Sequence, residues 1–375
     1  MRTLITGGAG FIGSWLAESL LEAGHTVTVL DSLSAQVHGE MPTPSQTWLG
    51  HPNARFKRGD VRDAALVDEL LGECDAVVHL AAETGTGQSM YQIAHYYDVN
   101  VNATAKLLEI IGTQRRHVRR VVFASSRSIY GEGAYEIDGK VTVPAPRTLA
   151  QLQSGSWELR HCDGRPLRLV ATPESVVPRP ASVYAATKLA VEQLAQVVAE
   201  AYGVNIAALR FQNVYGERQS LNNPYTGILS IFSNRMRQGL PINIFEDGKE
   251  SRDFVHVSDV VRAIRLALEG DVSGFQAINI GSGVPTSVME VAGTLRSLLG
   301  SSSGLQVSGD FRAGDIRHCY ADLSRARELL GFRPEVSLEA GLARFVNWVG
   351  TQAIATDRSR HALDELTALG LGRAT

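Results

Sequence analysis

The order of the first elements constrains this chain most. A β-rich run at 2–6 feeds directly into Thr6-Gly7-Gly8-Ala9-Gly10-Phe11-Ile12-Gly13, and a helical pattern follows at 11–23. Further β-rich runs at 26–30, 54–57, 76–80 and 120–124 alternate with helical patterns at 63–71 and 92–112. A strand at 205–211 follows a long helical stretch at 182–202. Strands separated by helices imply βαβ units, hence α/β architecture with a parallel sheet covered on both faces. After about residue 216 the pattern loosens. Short strands are expected near 242–245 and 276–280, and helices near 225–238, 257–269, 287–299, 323–330 and 338–350. This reads as a smaller C-terminal α/β lobe over the carboxyl ends of the sheet, where such sheets bind ligands. Residues 351–375 read as a tail or a short terminal helix.

The glycine run sharpens the fold to a Rossmann-type doubly wound sheet. Gly7, Gly10 and Gly13 allow a tight turn and let backbone approach a pyrophosphate closely. The helix opening at Phe11 and Ile12 presents free N–H groups and a positive dipole end. Asp31 ends the second strand 18 residues past Gly13 (31 − 13). A carboxylate there accepts hydrogen bonds from an adenosine ribose and repels a 2′-phosphate, so NAD is expected over NADP. Asp60-Val61, after the third strand, can reach the adenine. Leu80, Ala81 and Ala82 end the fourth strand with side chains small enough for a cofactor to pass, while His79 reads as a core histidine.

Tyr184 and Lys188, in Ser182-Val183-Tyr184-Ala185-Ala186-Thr187-Lys188, stand at i and i+4 and share one helical face. A phenol titrates near 10, too high for a base at neutrality. A nearby ammonium and a positive nicotinamide ring lower that value. The chain holds only five lysines (57, 106, 140, 188 and 249), so such a pair is sparse in this sequence and stands out. Ser125-Ser126-Arg127-Ser128-Ile129-Tyr130-Gly131 leaves the fifth strand and offers a hydroxyl beside such a phenol.

With TGGAGFIG, HLAA, SSRSIYG, YAATK, RFQNVYGERQ, RDFVHVSD and GDIRH in this order, residues 1–350 resemble the extended short-chain dehydrogenase/reductase family, in its nucleotide-sugar epimerase/dehydratase branch. The resemblance implies Ser126 as catalytic hydroxyl, Tyr184 as base and Lys188 as its tuner. It implies Asn100 near the cofactor pocket, Asn213 and Arg252 on the diphosphate of a nucleotide sugar, and Arg317 as a second phosphate partner. HLAAETGTGQSMY and RQSLNNPYTGILSIF look similar to dTDP-L-rhamnose 4-epimerase-like sequences. Glu83, Thr84, Gln88 and Ser89 would then line the sugar end, with Phe245 against the base. The divisions that follow are 1–215, an NAD-binding Rossmann domain with an insertion at about 133–179; 216–350, a nucleotide-sugar-binding lobe; and the tail 351–375.

Dehydratases of this branch carry acids just after the Ser/Thr, where this chain has Arg127 and Ser128. A 3,5-epimerase would carry a cysteine near Ser128. The resemblance therefore implies an NAD-dependent epimerase, acting at C4 through transient oxidation to a 4-keto sugar and hydride return. The alternatives are an NAD(P)H-dependent reductase of a nucleotide-linked 4-keto sugar, a 4,6-dehydratase, and an NAD-sensing scaffold. Ser126 and Tyr184 are 58 residues apart (184 − 126), wide for the family. The insertion keeps only Cys162, so no thiolate zinc site and no metal is expected.

A net charge of −3 argues against nucleic-acid binding. No run is long and apolar enough to span a bilayer. Three cysteines without a CxxC pair point to reduced thiols and the cytoplasm. The expected partners are a dTDP-, UDP-, GDP- or CDP-linked sugar and a second copy of the chain. That homodimer would form through the helices at 92–112 and 182–202, where Leu189, Leu194, Val197 and Val198 are apolar.

Overall fold

In the computed structural model, residues 1–39, 47–115, 117–221, 223, 227–312, 314–354 and 359–373 are described. Seven parallel strands form the central sheet: β1 (Arg2–Thr6), β2 (Thr26–Asp31), β3 (Ala54–Arg58), β4 (Ala76–His79), β5 (Arg120–Ser126), β6 (Asn205–Phe211) and β7 (Phe275–Ile280). Their order is β7-β6-β5-β4-β1-β2-β3. The strand order reverses between β1 and β4, which opens a crevice over their carboxyl ends.

Successive residues of each strand serve opposite faces, and both faces are dry. Ile5, Val29, Val78, Val122, Leu209 and Ile278 pack with Leu16, Ala17 and Leu20 of helix Phe11–Glu22 and with Val260, Ala263 and Ile264 of helix Val257–Glu269. Their neighbours Leu4, Val77, Val121, Phe123 and Ile206 pack with Leu70, Leu107, Ile111, Val191 and Ala195 from the helices on the other side. Burial on both faces is why these strands read as continuous apolar runs.

The division expected at 215/216 is crossed by the chain. Both β7 and helix Val257–Glu269 come from beyond residue 215, yet they belong to the central sheet and its cover. What remains of the later half forms a separate core around Phe232, Ile244, Phe254, Val291, Leu295, Leu342 and Phe345. Its sheet joins Asn213–Tyr215, Ser251–His256, Pro285–Ser287 and His318–Cys319. Helix Val288–Leu298 starts with a reciprocal Ser287/Glu290 capping box.

The insertion is an antiparallel three-stranded knob, Tyr135–Ile137, Lys140–Thr142 and Arg168–Leu169, with the short helix Leu149–Gln153. Arg147 ties it down, donating to Glu132 at 3.1 Å and to Glu246 at 2.8 Å, all three side chains being buried. The tail is ordered as helix Ser359–Ala368 and strand Gly372–Arg373. No helix among the described residues is long and apolar enough to cross a membrane.

Candidate active site

One cleft of about 950 Å³ runs across the crevice and under the second lobe. At its floor lies the glycine turn. Gly7 has φ +68°, and a Cβ there would stand 2.7 Å from the Ala81 nitrogen. A Cβ on Gly13 would stand 2.5 Å from both the Gly7 oxygen and the Gly8 Cα. These neighbours are backbone and cannot move aside. The helix beginning at Phe11 has no side-chain cap, so its first N–H groups are left for an anion. This cradle fits a dinucleotide pyrophosphate.

Asp31 sits at the end of β2. Its carboxylate accepts from the Ala9 N–H at 3.0 Å and the Leu33 N–H at 2.8 Å. It therefore both holds the glycine turn and faces the cleft. Asp60 and Val61 line the same end, with Asp60 held by Arg62, whose guanidinium lowers the Asp60 carboxyl. Leu80, Ala81 and Ala82 line the middle. His79 is buried between the Thr6 and Thr104 hydroxyls, at 2.7 Å and 2.9 Å. Burial, with the charge of Lys188, brings it down to about 3, so it is neutral. Removal of the Asp31 carboxylate by Asp31→Ala is expected to weaken NAD binding by roughly ten- to a hundredfold, the equivalent of about 1.5–3 kcal/mol for hydrogen bonds to a charged group; a fluorescence titration measures it.

Asn100 lies behind the cleft wall. A π-turn at Asp98–Asn102 directs its amide to the Glu83 backbone and the Thr187 hydroxyl. It positions the Glu83–Thr84 loop and does not line the cleft.

The helix Val183–Tyr202 is started by Ser182, whose hydroxyl accepts from the Ala185 N–H at 3.2 Å. This start brings Tyr184 and Lys188 to the cleft beside Ser126. The Ser126 hydroxyl lies close enough to the Tyr184 phenol to influence it. Burial raises that phenol above its ordinary value, while the Ser126 hydroxyl and the charge of Arg127 pull it back. Lys188 Nζ donates to the Ala124 carbonyl at 2.9 Å and stands 5.8 Å from the Tyr184 ring centre. Burial brings the Lys188 ammonium down to about 8, opposed by Glu192. Arg127 thus adds a second cation beside the phenol, one the sequence reading did not assign.

At the far end, Thr84, Asn213, Phe245 and Arg252 line the cleft. Arg252 is held by the carbonyls of Ser251, Arg317 and Ile316 at 2.7–3.0 Å. Asn213 accepts from Arg127 Nε at 3.0 Å. Arg317 departs from its expected role. It is fully buried, does not line the cleft, and is bound to Glu158, Glu246 and Asp247. Arg312 lines the cleft instead. Its guanidinium covers the Phe245 ring at 4.6 Å, and its Nε, in a loose ion pair with Asp315 at 3.7 Å, makes no hydrogen bond among the described residues. The signal was two residues before the GDIRH stretch, which the motif as quoted began too late to include. Leu366, from the tail, also lines the cleft.

The profile of the NAD dependent epimerase/dehydratase family matches residues 3–149 and 162–281. A dTDP-L-rhamnose 4-epimerase from Burkholderia thailandensis is 38% identical over 354 residues, 94% of this chain and 95% of its own. A dTDP-glucose 4,6-dehydratase from an Actinoplanes species is 29% identical over 355 residues, 93% of this chain and 97% of its own. The structure of a UDP-glucuronic acid 4-epimerase from Bacillus cereus, in complex with UDP-glucuronic acid and NAD, superposes with a TM-score of 0.76 at 28% identity, covering 93% of this chain and 99% of its own.

Proposed function

The chain belongs to the NAD-dependent epimerase/dehydratase family, and from that premise we propose that it inverts C4 of a nucleotide-diphosphate sugar, using NAD without net consumption. The observation that carries this reading is the meeting of Ser126, Tyr184 and Lys188 with the glycine cradle in one cleft, where Arg127 and Ser128 follow Ser126. An acid–base pair for loss of water is missing from the two positions where dehydratases of the branch carry it.

Bound NAD supplies the acceptor for the C4 hydride and its return. Ser126 holds the sugar O4 against the Tyr184 phenol. Tyr184 takes the O4 proton as the carbonyl forms and gives it back as the carbonyl is reduced. Lys188 stays fixed on Ala124, and Arg127 keeps positive charge near the phenolate. Arg252 and Arg312 hold the diphosphate while the keto sugar turns, because guanidinium forks match phosphate oxygens. Arg312→Ala is expected to raise KM for the nucleotide sugar by about ten- to a hundredfold, equivalent to the roughly 1.5–3 kcal/mol of a hydrogen bond to a charged group, with kcat less affected.

The relative named dTDP-L-rhamnose 4-epimerase makes dTDP-6-deoxyhexoses the first substrates to try. The test is incubation with dTDP-, UDP-, GDP- and CDP-sugars without added cofactor, followed by NMR of the ring protons. An equilibrium mixture of C4 epimers is expected. Stoichiometric use of added NADH on 4-keto sugars would turn the reading to a reductase.

A homodimer fits the exposure of Leu194 and Val197 on helix Val183–Tyr202 and of Ile93 and Tyr97 on the adjacent helix Ile93–Tyr97. Light scattering at micromolar concentration tests it, and a monomer removes it. With Cys74, Cys162 and Cys319 unpaired, the cytoplasm is its proposed place of work.

A further inference from the structure

The C-terminal segment touches both banks of the cleft. On one bank, strand Gly372–Arg373 pairs antiparallel with Phe311–Arg312, placing Gly372 opposite the Arg312 that lines the cleft. On the other bank, the Tyr91 hydroxyl donates to Glu365 at 2.9 Å. Leu366 is only 4% exposed, and a Cβ on Gly87 would stand 3.0 Å from its Cδ1. That bank is itself fixed to the catalytic helix, because the Tyr184 N–H donates to the Ser89 hydroxyl at 3.0 Å. Leu366 thus stands in the cleft wall beside Gly87, on a segment that reaches from there to Arg312.

We propose that this segment is a retaining wall of the site, with Leu366 holding the 4-keto sugar inside between the two half-reactions. The proposal rests on the epimerase reading. After oxidation the sugar has lost its O4 proton to Tyr184 and its C4 hydride to the cofactor. To be reduced on its other face it must let go of Ser126 and Tyr184, turn, and rebind. During that interval only the diphosphate contacts and the walls keep it in place. An apolar wall suits the task, because it excludes water and offers no hydrogen bond that would favour one face of the ring. If the ketone escapes, the chain is left with reduced cofactor and nothing to reduce, so turnover stops.

The test compares the full chain with Leu366→Gly and with a chain ending at Gln352. Full-length turnover on the sugar panel decides the epimerase reading first, so its failure and a failure of the wall are separate results. Free 4-keto sugar is then trapped with borodeuteride and counted by mass spectrometry per epimerisation event, while absorbance at 340 nm follows reduced cofactor left on the protein. Both variants are expected to release ketone about tenfold more often, as for an opened active-site closure, and to stall in the reduced state, with added NAD restoring turnover. Their melting temperatures are measured alongside. Ketone release and 340 nm absorbance equal to those of the full chain in Leu366→Gly overturn the proposal, whether or not the shortened chain folds.

Discussion

Tyr184→Phe is expected to lower kcat by about 10²–10⁴-fold, the range for loss of a positioned acid–base group, with little change in KM or in NAD binding. The ring keeps its place because Ser182 caps the helix and the Tyr184 N–H is bound to Ser89, neither of which involves the phenol oxygen. What is lost is the one atom that exchanges the O4 proton. The residual rate is what positioning by Ser126 and the cofactor gives without that proton exchange. Single-turnover absorbance at 340 nm separates the cases. If the band forms as fast in the variant as in the parent chain, Tyr184 is not the base and the mechanism fails.

Arg317→Ala is expected to act on stability and not on substrate affinity, the reverse of Arg312→Ala. The Arg317 guanidinium is fully buried and reaches Glu246 at 3.0 Å and Asp247 at 2.7 Å. Of its other two partners, Glu158 is 56% exposed and adds little, and Glu250 stands at 4.0 Å. Removing the cation leaves Glu246, 6% exposed, with Arg147 as its remaining ion-pair partner among the described residues. Breaking a buried pair from one side costs about 3–5 kcal/mol. A clear fall in the urea midpoint is expected, with KM for the nucleotide sugar nearly unchanged in the protein that remains folded. A large rise in KM at unchanged stability would return Arg317 to the diphosphate.

The glycine loop and the Tyr184–Lys188 pair were legible because both are local. A turn needs glycine within a few residues of its strand, and a helix puts i and i+4 on one face. The arginines were not, because their roles are decided by which carboxylates the fold brings near. Arg317 and Arg312 lie five positions apart (317 − 312), and nothing local in the sequence tells them apart; the approach of Glu246 and Asp247 to Arg317 does. The tail was illegible for a similar reason. Its helix covers Gly87, and its strand pairs with Phe311–Arg312, both contacts between residues far apart in the chain. Arg127 was noticed for the acid it replaces, while its influence on the phenol required the placement of helix Val183–Tyr202.

That β7 and the helix Val257–Glu269 return from the later half has a consequence for how the molecule forms and moves. A nascent chain of 215 residues would carry β6 as a bare hydrophobic edge and would leave Val78, Val122 and Leu209 without the helix Val257–Glu269 that covers them. Such a fragment is expected to aggregate when expressed alone. Once complete, the two halves are laced together by several chain crossings, so a single hinge cannot swing them apart. Entry and exit of a bulky ligand must then fall to small peripheral pieces, and the body of the protein melts as one unit.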